Sequence, residues 1–455
     1  MQSGSTHRID VAPEQAMKGH EWADRWALDV LEIATSRGKR TVRVFHPSPL
    51  DASVTLPLVV FQDGQRVFAT EGASWRAAET IASLVEARLI PPVVAVGIDN
   101  AGPERAVEYS HVVPFPRQPG APAEGERYEE LVIDEIIPEL RERYPLTRDA
   151  AHTAVIGSSL GGLVSYHLSF RHPEVFGLAG ILSPYLAHID PHRGSEHRVW
   201  ASFPQAGPRR IWLDVGDTEA TLTVAQITDL RDHLLDLGYR DGENLAWRLH
   251  RGGTHNEECW AERLPSVLLH LFAPPAPIVE AGLDLPHEIP VGQRRMPVAP
   301  LVTHENGMQR NTLLPVQVFD DHTATAGRLG DVLVREPGQF AAAISTSIGD
   351  LRGAVEVTPS PHVARLQVTV HGEGLDGEDA LTYSWLPLER LSQNTFGGVF
   401  HLPVGLAFDG SLTRHSDSFT PADSNGNPER WPLRLLADDT VDITVHRWMP
   451  SPDPL

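Results

Sequence analysis

Short apolar runs alternate with helix-like segments from about residue 40 to residue 272, and this alternation restricts the possible folds more than any other feature. Several runs are apolar on both faces, as buried parallel strands are. The segments between them carry apolar residues three and four positions apart with polar residues opposite, which is typical of amphipathic helices. The pattern therefore predicts an α/β sheet covered by helices. The predicted strands are 40–47, 56–64, 92–99, 152–158, 178–184, 210–216 and 245–252, and the predicted helices are 74–89, 126–144 and 221–239.

The pattern changes after residue 272. Proline becomes frequent in 273-APPAPIVEAGLDLP-286 and the helical periodicity stops, which predicts a linker over 273–300. Beyond it, β-like runs are separated by turn residues, as in 363-VARLQVTVHGEG-374 and 440-TVDITVHRW-448. A chain of 455 residues also exceeds what one core usually organises. We predict an α/β domain over 1–272 and a β-rich domain of unknown role over 301–455.

Composition excludes some partners and cofactors. The formal net charge of −22 repels phosphate backbones and anionic lipid, so we expect neither nucleic acid nor a membrane surface as a partner. The first residues form no secretory signal and no run of about 20 apolar residues occurs, which predicts a cytoplasmic protein. The single cysteine, Cys259, excludes an internal disulfide and a cysteine-rich metal site.

We predict no metal and no cofactor. The loop 423-DSNGNPE-429 carries oxygen donors at alternating positions, as calcium loops do. It lacks the twelve-residue EF-hand spacing, and the same residues are ordinary turn formers.

A G-x-S-x-G pattern lies at 157-GSSLG-161. Glycine is common in this chain, so the pattern alone has little weight. Its context is more specific, because it follows a predicted strand and opens a helical segment, as a nucleophile elbow does. We therefore predict Ser159 as the nucleophile. Ser158 lacks the symmetric glycine flanks, and an inactive glycine-rich turn is the alternative interpretation.

A serine nucleophile needs a base, and the base needs an orienting acid. In α/β-hydrolases the chain order is nucleophile, acid, histidine. The predicted strand 210–216 is followed by Asp217 and Glu219, and the next strand is followed by His255. All three lie where the crevice of an open α/β sheet is expected. The residues themselves leave two candidates for the acid.

Two backbone amides are needed to bind the developing oxyanion. The amide of Leu160, at the start of the helix, is one candidate. The loop after the strand near residue 60 is expected to supply the other, from Gln65.

Five stretches in the same order resemble the putative esterase family of α/β-hydrolases, which includes esterase D and enterochelin esterase. They are 62-QDGQ-65, 96-VGIDNAGPERAVEYS-110, 157-GSSLGGL-163, 214-DVGDTE-219 and 254-THNEECWAERLP-265. The resemblance covers about 40–272 and implies Ser159, Glu219 and His255 as a catalytic triad, with an oxyanion donor near Gln65. Glu219 rather than Asp217 then matches the acid by its position in a G-x-x-E/D pattern.

Three further residues are candidates for substrate binding. Arg105 and Tyr109 belong to an R-x-x-E-Y pattern, although Arg105 and Glu108 can equally form a structural ion pair. Trp260 is expected to pack either on the substrate or on the sheet.

These observations predict a serine esterase that cleaves small-molecule carboxylic esters through an acyl-enzyme. Transfer of the acyl group to an alcohol or sugar is an alternative, because the same intermediate reacts with whichever acceptor is present. A non-catalytic binding or scaffold protein that uses the C-terminal domain is the alternative from another class. The sequence specifies neither the acyl group nor the oligomeric state.

Overall fold

The structure is a computed structural model. The residues that it describes are 23–68, 74–112, 123–190, 194–205, 207–219, 221–283, 285, 288–290, 295–319, 322–328, 330–359, 363–372, 380–384, 386–408, 410–414 and 419–450.

Among the described residues, fifteen strands precede residue 312, and most of them belong to one sheet. They are β1 (Trp26–Thr35), β2 (Gly38–Pro47), β3 (Leu58–Gln62), β4 (Val94–Ile98), β5 (Thr153–Ser158), β6 (Leu178–Leu182), β7 (Ala187–Ile189), β8 (Glu196–Arg198), β9 (Arg210–Gly216), β10 (Leu245–His250), β11 (Ile278–Gly282), β12 (Glu288–Pro290), β13 (Arg295–Pro297), β14 (Leu301–His304) and β15 (Gln309–Asn311).

The main sheet has 11 strands in the order β1-β2-β4-β3-β5-β6-β9-β10-β15-β14-β11. The strands from β4 to β10 in that order run parallel. Antiparallel strands extend both edges. The C-terminal ends of the parallel strands therefore meet at one edge of the sheet, where an α/β fold places its functional residues.

Helices connect the parallel strands. They are α1 (Gly64–Val67), α2 (Ala77–Glu86), α3 (Arg105–Glu108), α4 (Gly125–Glu130), α5 (Ile137–Arg143), α6 (Leu160–Arg171), α7 (Thr221–Asp236) and α8 (Glu257–Phe272), with a π-helical segment, Leu131–Ile136, joining α4 to α5 and 3-10 turns at Ala23–Arg25, Gly102–Glu104 and Ala150–His152. No helix among the described residues has the length and apolarity needed to cross a membrane.

Apolar side chains cover both faces of the sheet. Alternate residues of β3 divide between two cores: Leu58 and Val60 lie in one, and Val59 and Phe61 in the other. This two-sided burial explains why the strands read as continuous apolar runs instead of alternating ones. The predicted α/β fold over the first part of the chain is confirmed.

The described residues beyond Phe272 form strands and no helix, as predicted. Two apolar cores form beyond Phe272, one among residues 296–357 and one among residues 364–445. The remaining strands are β16 (Gln317–Phe319), β17 (Ala324–Ala326), β18 (Asp331–Val334), β19 (Gly338–Thr346), β20 (Gly349–Thr358), β21 (Val363–Gly372), β22 (Leu381–Tyr383), β23 (Leu386–Ser392), β24 (Thr395–Pro403), β25 (Ala407–Phe408), β26 (Leu412–Arg414), β27 (Phe419–Pro421), β28 (Leu433–Arg434), β29 (Asp439–Val445) and β30 (Trp448–Pro450).

The structure differs from the sequence prediction in three elements. The predicted linker carries strands, and β11, β14 and β15 extend the main sheet beyond β10, so the sheet passes the predicted boundary. The prolines of 273–286 interrupt the helical pattern, and for that reason the sequence predicted a linker. Proline is nevertheless tolerated at an edge strand, and β11 is an edge strand of the main sheet. The predicted helix 126–144 contains the π segment just before Pro138, which has no N–H to donate. Strand β1 was not predicted.

The loop 423–429 closes as a turn. The Asp423 carboxylate accepts hydrogen bonds from the backbone amides of Asn425 and Asn427, each at 2.8 Å. Turn chemistry therefore accounts for the alternating oxygen donors in this loop.

Buried ion pairs attach the β-rich part to α7. Arg231 on α7 donates to Asp331 on β18 at 2.8 Å, and neither side chain is exposed. Arg295 on β13 donates to the same carboxylate at 2.8 Å from its Nε and also pairs with Asp232 on α7. A buried charge is costly without a partner, so these pairs maintain the contact between the two parts.

We expect Asp331→Ala to lower the free energy of unfolding by about 3 kcal/mol, because Arg231 then remains buried with less compensation. Urea unfolding followed by tryptophan fluorescence measures the loss. Asp229→Ala is the matched control, since this carboxylate is 68% exposed and pairs with Arg295 at 3.4 Å. It should cost less than about 1 kcal/mol. Equal losses in the two variants would contradict the assigned role of the buried pair.

Candidate active site

Ser159 lies at a sharp turn between a strand and a helix. Strand β5 ends at Ser158, α6 begins at Leu160, and Ser159 between them has φ 55° and ψ −125°. Such a backbone conformation costs roughly 1–3 kcal/mol for a residue other than glycine. A Cβ added to Gly157 would lie 2.3 Å from the carbonyl oxygen of Gly161, so the turn requires glycine there. The sequence pattern thus has the backbone of a nucleophile elbow.

The segment after β6 holds this turn in place. The amide of Ser159 donates to the carbonyl oxygens of Leu182 and Ser183, at 3.1 and 3.2 Å. The amide of Tyr185 donates to the carbonyl oxygen of Ser159 at 3.0 Å. These bonds join the elbow to the neighbouring strand end, and that strand end also contacts the candidate acid.

Glu219 and His255 form a hydrogen-bonded pair. The Nδ1 atom of His255 lies 2.9 Å from Oε2 of Glu219. The Glu219 side chain is 1% exposed, whereas the His255 side chain is 44% exposed. A buried carboxylate therefore orients a histidine that is open to solvent.

Asp217 has other partners. Its carboxylate accepts hydrogen bonds from Nη1 of Arg251 at 3.1 Å and from the amide of Gly252 at 2.7 Å. Of the two carboxylates that follow β9, the structure thus places Glu219 against His255.

The second oxygen of Glu219 is held by groups that the sequence analysis missed. Its Oε1 atom accepts from the Ser183 hydroxyl at 2.6 Å and from the Gly216 amide at 2.7 Å. The Ser183 hydroxyl in turn accepts from Nη2 of Arg263 at 2.8 Å and from the indole N–H of Trp260 at 3.1 Å. Ser183 is buried and has a positive φ of 39°. This positive φ marks Ser183 as a special position, but a backbone angle cannot be read from the sequence.

These contacts determine the charge of Glu219. Burial alone would raise its pKa, but the hydrogen bond and charge of His255, the charge of Arg263 and the Ser183 hydroxyl hold the pKa below its usual range. Asp214 lies nearby, with Oδ1 at 3.4 Å from Nε of Arg263, and here burial keeps the pKa raised. Glu219 is therefore the ionised partner available to His255 near neutral pH.

The loop after β3 lies against the start of α6. A Cβ added to Gly161 would be 2.9 Å from Oδ2 of Asp63, and Asp63 itself has a positive φ of 57°. Gln65 follows on α1, and its side-chain oxygen accepts from the amide of Asn100 at 3.1 Å. The two segments predicted to supply oxyanion donors, through Leu160 and Gln65, are thus neighbours.

Arg105 and Tyr109 both bond to Asp63. Arg105 donates to the two carboxylate oxygens of Asp63 at 2.6 and 2.8 Å. Tyr109 is fully buried, and its hydroxyl accepts from the amide of Asp63 at 3.3 Å. Glu108 pairs with Arg40 and not with Arg105. Arg105 and Tyr109 thus hold the loop that is predicted to supply an oxyanion donor, and their direct contact with substrate stays a prediction.

Trp260 is buried beside His255. Its indole ring meets the imidazole edge to face with centroids 5.1 Å apart, and the residue is 7% exposed. The indole N–H is occupied by Ser183. Between the two packing alternatives, the structure places Trp260 in the core behind the histidine.

A comparison with family models finds a match to the family described as "Putative esterase" over residues 33–271, just over half of the chain. Among known proteins, the uncharacterized protein YbbA of Bacillus subtilis is 23% identical over 239 residues, covering 50% of this chain and 89% of YbbA. An iron(III) enterobactin esterase of Escherichia coli O6:H1 is 30% identical over 226 residues, covering 48% of this chain and 50% of that protein. This chain thus spans about half the length of that esterase.

Solved structures give matches of low overall similarity. The enterobactin esterase FES of Shigella flexneri has a TM-score of 0.44 and 24% identity, covering 54% of this chain and 59% of FES. The BES protein of Bacillus cereus has a TM-score of 0.44 and 15% identity, covering 60% of this chain and 100% of BES.

We expect Ser183→Ala to lower the free energy of unfolding by about 1–3 kcal/mol, because buried donors on Arg263 and Trp260 lose their acceptor. Acid unfolding should also begin at higher pH. The depressed pKa of Glu219 stabilises the fold above the unfolded value of about 4.3, and this contribution is lost as the pH falls through the folded-state pKa. Losing the Ser183 hydroxyl raises that folded-state pKa. Denaturation curves from pH 7 to pH 3 measure both effects.

Ser165→Ala is the matched control. Ser165 is fully buried on α6, and its hydroxyl has no hydrogen-bond partner among the described residues. Its removal should change stability by less than about 0.5 kcal/mol and leave the acid transition in place. The assigned network is wrong if Ser183→Ala behaves like this control.

Proposed function

Because this chain belongs to the putative esterase family, we propose that it hydrolyses carboxylic esters through an acyl-enzyme on Ser159. The family match confirms the resemblance drawn from the sequence motifs. The observation that carries the mechanism is the hydrogen bond between the buried Glu219 carboxylate and His255. Both residues follow the strained turn at Ser159 in the chain order nucleophile, acid, histidine.

His255 acts as the general base in this proposal. Its Nδ1 faces Glu219, so the proton on that nitrogen is held and Nε2 is left to accept the Ser159 proton. The serine oxygen then bonds to the ester carbonyl carbon. As the tetrahedral intermediate collapses, the bond to the alcohol oxygen breaks and the alcohol leaves with the proton from His255. Water repeats the sequence and releases the acid, restoring Ser159.

Glu219 supports this cycle by remaining ionised. Its lowered pKa keeps a negative charge beside the imidazolium that forms at each proton transfer. Ser183 and Arg263 act as positioning residues, since they hold the oxygen of Glu219 that His255 does not use.

The oxyanion site is assigned to the amides of Leu160 and Gln65. Leu160 begins α6, where helix N–H groups are unpaired and favour negative charge. Gln65 lies on the loop that Arg105 and Tyr109 hold through Asp63. We assign Arg105 and Tyr109 to the placement of this loop, and the substrate to the class of small-molecule esters. The relatives named enterobactin esterase direct a first substrate screen to siderophore esters.

We expect a fluorophosphonate probe to add once to the native chain, on the peptide that contains Ser159, and to give no adduct with Ser159→Ala. Intact mass and peptide mapping identify the site. The same substitution should lower kcat/KM for p-nitrophenyl acetate by at least about 10⁴-fold. An adduct that persists in Ser159→Ala, or a native chain that is folded but unreactive, would contradict the proposal.

The two carboxylates after β9 provide a second test. Glu219→Gln should lower kcat by about 10⁴-fold, because the neutral amide no longer stabilises the imidazolium. Asp217→Asn is the control, since Asp217 bonds to Arg251 and Gly252 and not to His255. It should retain nearly native kcat in the same assay. An equal loss in the two variants would remove Glu219 from its assigned role.

A further inference from the structure

Two histidines and a glutamate converge away from the proposed active site. His111 follows α3, Glu129 lies on α4, and His167 lies on α6 eight residues after Ser159. One donor atom from each of the three side chains lies within 4.8 Å of the others. The rings of His111 and His167 are stacked, with centroids 3.8 Å apart and planes 8° apart. Three chain segments thus bring nitrogen and oxygen donors to one place. Because an imidazole lone pair lies in the ring plane, one ring must turn out of the stack for both to bind a single ion.

His167 is buried without hydrogen-bond partners. It is 3% exposed, and neither of its ring nitrogens has a partner among the described residues. Burial, with a smaller contribution from His111, lowers the pKa of His167 to about 3, so the ring is neutral and carries a free lone pair. Nδ1 of His111 is also buried and unpaired within the described part of the chain. Buried polar atoms without partners are costly, and a bound ion would give one nitrogen of each ring a partner.

Glu129 supplies the negative charge. It is 2% exposed, and Oε1 lies 2.9 Å from Nε2 of His111. Oε2 accepts from Arg171 at 2.8 Å and lies 3.3 Å from Nε2 of His172. Burial alone would raise the pKa of Glu129, but hydrogen bonds from His111 and His172 and the charge of Arg171 lower it to about 2. The carboxylate is therefore ionised, and its Oε1 faces the histidine pair.

We propose that His111, Glu129 and His167 bind one divalent cation of the zinc class. Imidazole nitrogens together with a carboxylate oxygen suit zinc and its neighbours in the first transition row. Calcium and magnesium prefer sites built of oxygen ligands alone. His172 lies against the other oxygen of Glu129 and outside this cluster.

The position of the cluster indicates a structural ion. His111 is two residues after Tyr109, which bonds to Asp63. His167 lies on the helix that starts beside Ser159, about 12 Å farther along its axis at 1.5 Å per residue. A bound cation would join the segment of Tyr109 and His111 to α6, the helix that begins beside Ser159. It would stabilise this part of the site without contacting substrate.

The test uses the full-length protein stripped with a chelator and titrated with ZnCl₂ against a chromophoric competitor. We expect about one zinc ion per chain and a higher thermal midpoint with zinc. His167→Phe keeps the volume and aromaticity of the ring but has no donor, and Glu129→Gln keeps the side-chain size. Zinc binding should fall to background in both variants, and added zinc should no longer raise their midpoints.

Two control variants distinguish this cluster from the other buried histidines and from a second group of donors. His270→Phe replaces another buried histidine. Burial lowers the pKa of His270 to about 3, and the charges of Arg210 and Arg310 add to this effect. The variant should still bind zinc. Cys259→Ala removes a donor from the second group, formed by His250, Cys259 and Glu262, and it should also bind zinc. Loss of zinc in Cys259→Ala with retention in His167→Phe would overturn the proposal.

X-ray absorption of the zinc-loaded native chain makes the test independent of variant folding. Coordination by nitrogen and oxygen alone is the expected result. A sulfur ligand would place the ion at Cys259 and overturn the proposal. A native chain that binds no zinc above background would overturn it as well.

Discussion

The buried charge of Glu219 is the interaction on which the proposed active site depends. Its two oxygens accept from His255, Ser183 and the Gly216 amide, which lie at the ends of three neighbouring strands. A carboxylate so deeply buried is stable as an anion only when hydrogen bonds and a nearby positive charge compensate it. Arg263, fully buried on α8, supplies that charge. The groups that compensate this one anion therefore come from the ends of β6 and β9, the loop after β10 and α8.

Two strained turns lie in the same place. Ser159 and Ser183 both have positive φ values, at the ends of the adjacent strands β5 and β6. The two turns bond directly, because the Ser159 amide donates to the carbonyl oxygen of Ser183. Strained turns persist only where surrounding contacts determine them. Ser183 takes part in both arrangements, because its hydroxyl donates to Glu219 and its carbonyl oxygen accepts from the Ser159 amide.

The part of the chain after Phe272 is joined closely to the α/β part. Strands β11, β14 and β15 continue the main sheet, and the buried pair between Arg231 and Asp331 connects α7 to β18. Moving the two parts relative to each other would break backbone hydrogen bonds of the shared sheet and separate a buried pair of opposite charges. The core among residues 296–357 is therefore attached to the α/β part through defined contacts and not through a structureless linker.

Local sequence patterns were sufficient to predict the parallel strands, the serine elbow and the order of Ser159, Glu219 and His255. These features depend on apolar periodicity, glycine spacing and position relative to strand ends, which are local properties of the chain. The folded chain was needed to show the bond between Glu219 and His255, to direct Arg105 to Asp63 and to reveal the strands inside the predicted linker. The contact from Ser183 to Glu219 spans 36 residues and that from Arg263 to Ser183 spans 80. Such hydrogen bonds depend on the order of the strands in the sheet, and no local sequence pattern encodes that strand order.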